Sequence, residues 1–159
     1  MKISVICVGK IKEPYYRDAV AEYSKRLSRY CKLDIVEVAD EKTPEHASET
    51  VVQMIKEKEG ARVRKYLKED AYIIALDLGG KMLDSVELSD HIGRLGNRSV
   101  AHIIFLIGGS LGMQEELLRQ ADMRLSFSKM TFPHQLMRVI LLEQIYRAYR
   151  IANHEPYHK

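Results

Sequence analysis

Long hydrophobic runs are the first feature that this sequence of 159 residues lacks. No stretch approaches the roughly 20 consecutive apolar residues that a membrane-spanning helix requires. The apolar run that follows Lys2 is too short for the core of a signal peptide, and no small-residue cleavage site comes after it. We therefore expect a cytoplasmic protein that does not associate with membranes.

Cysteine is scarce as well. Cys7 and Cys31 lie far apart, and neither belongs to a C-x-x-C pattern or has a histidine close to it in the sequence. Two free thiols in a reducing cytoplasm fit this spacing better than the alternatives, which are a disulfide or a metal site. We predict no bound metal.

Several motifs that mark nucleotide sites and hydrolases are missing. The first predicted strand is not followed by G-x-G-x-x-G, which argues against a dinucleotide site, and the P-loop motif G-x-x-x-x-G-K-[ST] is absent. No pair of histidines has zincin spacing, and no G-x-S-x-G elbow is present. A triphosphate cradle and these two classes of hydrolase are therefore excluded.

The overall composition is that of a folded protein, with 46% hydrophobic and 30% charged residues. The chain contains no internal repeat, no low-complexity tract and no segment that resembles a linker. Its length suits one domain with one substantial core. We predict a single domain over residues 1–159.

Basic charge is concentrated toward the two ends of the chain. Residues 1–32 hold eight Lys and Arg against three Asp and Glu, and residues 124–159 hold six against two, while the segment between them is acidic. If the fold brings the two ends together, they form a positive surface suited to a phosphate backbone. The alternative is that these charges belong to ordinary solvated helix faces.

Short β-branched runs alternate with helical stretches along the chain. The two least interrupted apolar runs, Tyr72–Leu78 and His102–Ile107, are typical of central parallel strands buried on both faces, and each precedes a glycine pair that we expect to end it. The other predicted strands are Ile3–Val8, Leu33–Val38 and a short one over Met123, Leu125 and Phe127.

The helix signals complete an α/β pattern. Pro14 opens the first helix, and Thr43 followed by Pro44 predicts the start of the second, which Gly60 weakens or interrupts. Further helices are predicted around Leu88–Leu95, over Gln114–Gln120, and from Pro133 to about Asn153. Strand–helix alternation of this kind predicts a three-layer α/β domain around a mostly parallel sheet.

Three predicted strand ends mark a candidate ligand site, since ligands in open α/β sheets bind beyond the carboxyl ends of the strands. These ends are the segments 76–81, 107–112 and 127–132. Both glycine pairs, at 79–80 and 108–109, also suit plain turns, but two pairs after the two most buried strands favour a small-molecule pocket. A pocket of backbone and apolar groups suits an adenosine moiety better than a triphosphate.

The last helix has apolar residues around about half of its circumference. So wide an apolar surface predicts a symmetric dimer contact, with deep burial inside one chain as the alternative. Arg138 lies near the middle of the apolar arc, where a charge is costly unless it is paired or placed at a site opening. It is therefore a candidate functional residue or one partner of a structural ion pair.

The chain ends in Asn153-His154-Glu155-Pro156-Tyr157-His158-Lys159, a short aromatic and basic tail. Taken alone, it would be a frayed terminus. However, Tyr and His stack on a base that is splayed out of a helix, and Lys binds phosphate, so this composition also fits recognition of single-stranded RNA.

Four segments together resemble the RlmH family, the ribosomal RNA large-subunit pseudouridine methyltransferases of the SPOUT class. They are ALDLGGK at 75–81, FLIGG at 105–109, SFSKMTFPHQLMRVILLEQIYRAYRI at 126–151 and the ending NHEPYHK. The similarity spans essentially the full chain. It implies helices on both faces of the sheet, a C-terminal trefoil knot and a homodimer packed through the knotted region. It also implies S-adenosylmethionine as methyl donor and methylation of nitrogen-3 of a pseudouridine in assembled ribosomes.

The resemblance also implies positions for the site residues. The donor pocket falls on Leu76, Gly108, Gly109, Phe127, Ser128, Lys129, Met130, Thr131 and Phe132. The tail residues Tyr157, His158 and Lys159, with Arg138, are the candidates for catalysis. This sequence departs from the family pattern at the inserted Glu155, at Lys159 in place of arginine, at the missing final acidic residue, and at Ser110-Leu111 in place of Pro-Glu.

A mechanism follows as a hypothesis. Positioning of the two substrates supplies most of the rate enhancement, and a base removes the proton of the target imide. His158 or an ionised Tyr157 is the candidate base, Lys159 stabilises charge or holds phosphate, and the tail of one subunit completes the site of its partner. The rival interpretations are a non-enzymatic RNA-binding factor and a flavodoxin-like domain that binds a nucleotide or flavin.

Overall fold

The computed structural model describes residues 1–159 and shows strands and helices in the predicted alternation. The strands are β1 (Lys2–Val8), β2 (Lys32–Val38), β3 (Tyr72–Met82), β4 (His102–Ile107) and β5 (Met123–Ser126). The helices are α1 (Pro14–Leu27), α2 (Glu49–Arg64), α3 (Ser85–Asn97), α4 (Glu115–Gln120) and α5 (His134–Ala152).

The five strands form one sheet in the order β2-β1-β4-β3-β5, and every pair in it is parallel. From Ile3 to Val8 and from Ile103 to Ile107 every side chain is buried. Both faces of β1 and β4 are therefore covered, as the unbroken apolar run of β4 predicts. Because all strands run the same way, their carboxyl ends meet at one edge of the sheet.

The core is divided by the sheet into two clusters. One packs β1, β3 and β4 against α1, α3 and α5, with Leu27, Leu88 and Leu141 among its members. The other packs the opposite face against α2 and α4, with Val63 and Leu117 among its members. The predicted three-layer α/β domain is confirmed.

Helix α5 is the most enclosed helix of the chain. None of its residues from His134 to Ile151 is exposed, and Leu141, Leu142 and Ile145 are fully buried. It lies between α1 and α3 on one face of the sheet. The breadth of its apolar surface therefore does not by itself require a second copy of the chain.

Two expectations for α2 are wrong. The helix begins at Glu49, where Ser48 accepts a hydrogen bond from the Val51 N–H at 3.3 Å, so Thr43-Pro44 lies in the preceding loop rather than at the cap. Gly60 does not interrupt the helix, which runs on to Arg64. A Cβ at Gly60 would lie 2.9 Å from Oε1 of Gln114, so this glycine serves close packing.

The expectation that Gly79-Gly80 ends the third strand is also wrong. β3 continues to Met82, with a register shift in which Leu76 and Lys81 both pair with Leu125 of β5. A Cβ at Gly80 would lie 2.7 Å from the backbone carbon of Arg124. The glycines thus form a bulge pressed against the backbone of β5, not a terminating turn.

We predict that Gly80→Ala lowers the free energy of unfolding by about 1–3 kcal/mol, because backbone atoms cannot yield to the new methyl group. The matched control is Gly93→Ala in α3, where a Cβ meets nothing within 4 Å. That change should raise stability by about 0.5–1 kcal/mol. Urea unfolding measures the free energy of unfolding of both variants, and equal values would contradict the close approach of β3 to β5.

Candidate active site

A cleft of about 910 Å³ opens at the carboxyl ends of β3, β4 and β5. Eight of the nine residues that the resemblance assigns to a donor pocket line this cleft, and Lys129 lies in the same loop without lining it. The eight are Leu76, Gly108, Gly109, Phe127, Ser128, Met130, Thr131 and Phe132. The structure therefore brings together three segments that are distant in sequence.

The loop that follows β4 makes one wall of the cleft from bare backbone. The N–H of Gly112 donates to the carbonyl of Gly109 at 3.0 Å, and Gly112 has a φ of +83°, so residues 109–112 form a tight turn. A Cβ at Gly108 would lie 2.9 Å from Cγ of Met113. No side chain fits here, which leaves peptide N–H and C=O groups to face a ligand.

The loop that follows β5 forms the opposite wall and is shaped by two serines. The Ser126 hydroxyl donates to the carbonyl of Ser128 at 3.0 Å, and the Ser128 hydroxyl accepts from the Met130 N–H at 3.0 Å. Met130 is 73% exposed at the rim of the cleft. A large apolar side chain held at an opening is available to a ligand or to a second protein surface.

The first turn of α5 adds residues that the sequence did not single out. His134, Gln135 and Met137 line the cleft, as do Lys56 of α2 and Glu115 of α4. The sequence shows where these helices start, but no local pattern shows which of their residues face a pocket, and these five residues were therefore missed from the sequence alone. Burial, followed by the nearby Arg138 charge, holds the pKa of His134 below its ordinary value, so the imidazole is neutral at neutral pH.

Arg138 lies behind the cleft rather than in it, with 1% of its surface exposed. Its guanidinium donates to Oε2 of Glu37 at 2.6 Å and to the carbonyl of Gly9 at 3.1 Å. The same Glu37 oxygen accepts the Ile11 N–H at 3.1 Å. Burial raises the pKa of Glu37, but these hydrogen bonds outweigh burial and hold that pKa below its ordinary value.

This network ties the start of α5 to the turn after β1. Gly9 has a φ of +96°, and a Cβ there would lie 3.0 Å from Cε1 of His134. Arg138 therefore fixes the position of the turn against which His134, a residue of the cleft, is packed. Since Arg138 reaches Glu37 of β2 as well, a single side chain connects three elements at this edge of the sheet.

We predict that Arg138→Met lowers the free energy of unfolding by about 3 kcal/mol, the lower end of the range for breaking a buried pair, because Glu37 keeps some contact with water. Arg119→Met is the control, since Arg119 is 70% exposed and lies 4.0 Å from its partner Glu115. The control should show no measurable change. Urea unfolding measures the stability of both variants, and an equal loss of stability in the two would contradict the special role of the buried Arg138–Glu37 pair.

The C-terminal tail is fastened to α5 of its own chain and is not frayed. The Tyr157 ring meets Tyr146 edge-on at 5.0 Å, and Arg147 lies over it at 4.6 Å. The Arg147 guanidinium also lies 3.1 Å from Nδ1 of His158. Glu155 pairs with Arg150.

The phenol of Tyr157 is protonated at neutral pH in this arrangement. It donates a long hydrogen bond of 3.4 Å to Oε1 of Glu143. Burial, followed by the Glu143 charge, raises the pKa of Tyr157 to about 12. Tyr157 therefore acts here as a hydrogen-bond donor and not as a tyrosinate.

The tail and the cleft do not meet within one chain. None of residues 153–159 lines the cleft. Met137 is the last residue of α5 in the cleft, and Glu143 marks where Tyr157 packs. These two positions are about 9 Å apart along the helix axis and about 120° apart around it. The two groups of sequence-predicted site residues thus occupy different faces of α5.

No group of three or more His, Cys, Asp or Glu side chains is arranged to hold a metal ion. No helix combines the length and apolarity needed to cross a bilayer.

Fold and cleft together define a class of protein, an α/β domain with a small-molecule site at the carboxyl edge of a parallel sheet. The chain belongs to the SPOUT methyltransferase family, because residues 1–158 match the family model described as "Predicted SPOUT methyltransferase".

Full-length relatives and one solved structure agree with this family. A protein of Bifidobacterium adolescentis named "Ribosomal RNA large subunit methyltransferase H" is 64% identical over 159 residues, covering 100% of both chains. A Clostridium novyi protein of the same name is 62% identical with the same coverage. A structure titled as a probable methylase family protein from Haemophilus influenzae Rd KW20 matches with a TM-score of 0.53 at 11% identity. That match covers 99% of this chain and 70% of the other, and supports the fold alone.

Proposed function

We propose that this protein transfers a methyl group from S-adenosylmethionine to nitrogen-3 of a pseudouridine in large-subunit ribosomal RNA. The observation that carries this proposal is the 64% identity, over every residue of both chains, to a relative named for large-subunit ribosomal RNA methylation. The pseudouridine and its nitrogen-3 come from the resemblance of the sequence to the RlmH family.

The residues of the cleft fit this donor. Backbone groups at Gly108 and Gly109 are available to the edge of an adenine ring, since a Cβ at Gly108 would lie 2.9 Å from Met113 and one at Gly109 would lie 3.2 Å from Val8 and Glu59. Leu76, Phe127 and Met130 supply apolar surface for the ring and ribose, Ser128, Thr131 and Phe132 line the same wall, and Lys129 is the residue of this loop that lies outside the lining. When bound, the donor supplies a methyl group activated by a sulfonium centre.

The substrate side of the site requires a second copy of the chain. Tyr157, His158 and Lys159 carry the polar groups suited to a nucleobase and a phosphate, yet they lie on a different face of α5 from the cleft of their own chain. A homodimer in which one tail reaches the partner's cleft unites the two. The exposed Met130 at the rim is available to that contact.

Within such a composite site the tail residues take distinct roles. His158 accepts the proton of the target imide, which must leave before nitrogen-3 becomes nucleophilic. Tyr157, protonated as its raised pKa requires, donates a hydrogen bond to a carbonyl of the base. Lys159 binds the phosphate backbone, and Arg138 acts from behind the cleft by holding the turn at Gly9.

Two further properties belong to the same proposal. We expect the C-terminal segment to form a trefoil knot, an exception to the usual absence of knots in proteins. We also expect a cytoplasmic location. The free thiols of Cys7 and Cys31 and a ribosomal substrate both support it.

We expect ribosomal RNA from cells that lack this protein to lose a single methyl group at one pseudouridine, as measured by mass spectrometry of nuclease digests. Returning the gene should restore the methyl group, whereas returning Gly108→Leu should not, because the side chain obstructs the cleft. Unchanged RNA would reject the proposed function.

A thermal-shift screen then separates the rival interpretations. The melting temperature of a flavodoxin-like domain rises with flavin, whereas that of a non-enzymatic factor does not rise with S-adenosylmethionine.

Mixing two inactive variants tests the shared site. We expect Gly108→Leu, which blocks the cleft, and a chain truncated after Glu155, which lacks the tail, each to be inactive alone. An equal mixture should regain up to about a quarter of wild-type activity. Half of the dimers in it are mixed, and each mixed dimer holds one complete site where a wild-type dimer holds two.

The truncated chain must still bind S-adenosylhomocysteine in a calorimeter, which shows that its cleft is intact. A mixture that stays inactive while mixed dimers are demonstrated by tagged pull-down would mean that each tail serves its own chain.

A further inference from the structure

The cleft combines apolar and charged lining residues. Three ionised side chains line it, and each comes from a different element: Lys56 from α2, Asp77 from the bulge in β3, and Glu115 from α4. Arg124 of β5 links two of them, since its guanidinium lies 2.9 Å from Oε1 of Glu115 and 3.9 Å from Oδ2 of Asp77. The remaining walls are glycine backbone, hydroxyl and amide groups, neutral His134 and apolar side chains.

Lys56 has no counter-charge of its own. It is half-buried in the wall of the cleft, and it takes part in none of the ion pairs within the chain. The charge of Lys56 acts on Glu115, but only weakly: the pKa of Glu115 is lowered mainly by the hydrogen bond from Arg124 and least by Lys56. A partly buried ammonium without a partner is suited to an anionic ligand group.

Asp77 is the complementary group. Its side chain is 26% exposed and lies 3.9 Å from Nη1 of Arg124, but no hydrogen bond within the chain is made to it, and the hydrogen bond of Arg124 goes to Glu115. The bulge at Gly79-Gly80 turns the residue after Leu76 into the cleft. A carboxylate held there keeps its acceptor capacity for an ammonium.

We propose that Lys56 and Asp77 bind the two charged groups on the α-carbon of the methyl donor's amino-acid portion, Lys56 the carboxylate and Asp77 the ammonium. This inference rests on the proposed function, and it assigns the part of the ligand that the glycine turns and apolar loop leave unaccounted for. In this arrangement the adenosine portion lies against the apolar walls, and the zwitterion lies between Lys56 and Asp77.

The charge balance around Lys56 and Asp77 favours a zwitterion over an RNA phosphate as the ligand. Lys56 and Arg124 contribute two positive charges, and Asp77 and Glu115 contribute two negative charges, so the four groups are neutral together. A phosphate backbone is attracted by net positive charge. A neutral group that contains charges of both signs instead suits a ligand that carries one charge of each sign.

The test compares two ligands that differ only in the charged portion. S-adenosylhomocysteine carries the amino-acid group, and 5′-methylthioadenosine has a methyl group in its place. We expect Lys56→Met and Asp77→Asn each to weaken the binding of S-adenosylhomocysteine by about two- to fivefold in a calorimeter, as for a partly exposed ion pair. The affinity for 5′-methylthioadenosine should stay unchanged, which also shows that the cleft of each variant is folded.

Lys58→Met is the matched control, because Lys58 lies on the same helix with 58% of its side chain exposed and pairs with Glu41 away from the cleft. It should bind both ligands as the wild type does. Equal losses for both ligands in Lys56→Met or Asp77→Asn, or no loss for S-adenosylhomocysteine, would overturn the inference.

Two other results have separate meanings. If Lys56→Met keeps its affinity for S-adenosylhomocysteine but raises the KM for ribosomes, Lys56 binds RNA phosphate and the inference is wrong. If the wild type binds neither ligand, the proposed function itself fails and this inference fails with it.

Discussion

The burial of β1 and β4 on both faces is the constraint on which the rest of the structure depends. Two adjacent strands made almost wholly of apolar side chains leave no face for water, so helices must cover both sides of the sheet. Parallel strands need such crossovers, which return the chain to the same starting edge each time. All strand ends therefore gather at the opposite edge, and that edge is where the cleft lies.

Close backbone approach shapes this edge. The turn after β4 and the bulge in β3 both bring main chain to within a distance that excludes a Cβ, at Gly108 and Gly80. The first leaves peptide groups facing the cleft, and the second turns Asp77 into it. Behind them, Arg138 and Glu37 hold the β1 turn and the start of α5 in place with a buried pair. Rigid backbone in front and an ion pair behind produce a preorganised pocket.

Helix α5 separates the C-terminal tail from the cleft while it fills the core. Its first turn lines the cleft, its middle packs on the sheet, and its outer stripe of Glu143, Arg147 and Arg150 holds the tail. The tail on one face of α5 and the cleft on another do not meet within one chain. The proposed methyl transfer would therefore bring them together only in a homodimer.

The sequence by itself determined the strand and helix order, the parallel class of the sheet and the three segments at its carboxyl edge, because hydrophobic periodicity and glycine pairs act locally. It also pointed to the loop 127–132 through a family motif. Only the tertiary structure decided that Gly79-Gly80 forms a bulge, that Ser48 caps α2, and that Lys56 and Glu115 face the cleft. These outcomes depend on which backbone and side chains approach across the sheet, and such contacts leave no periodic pattern in the chain.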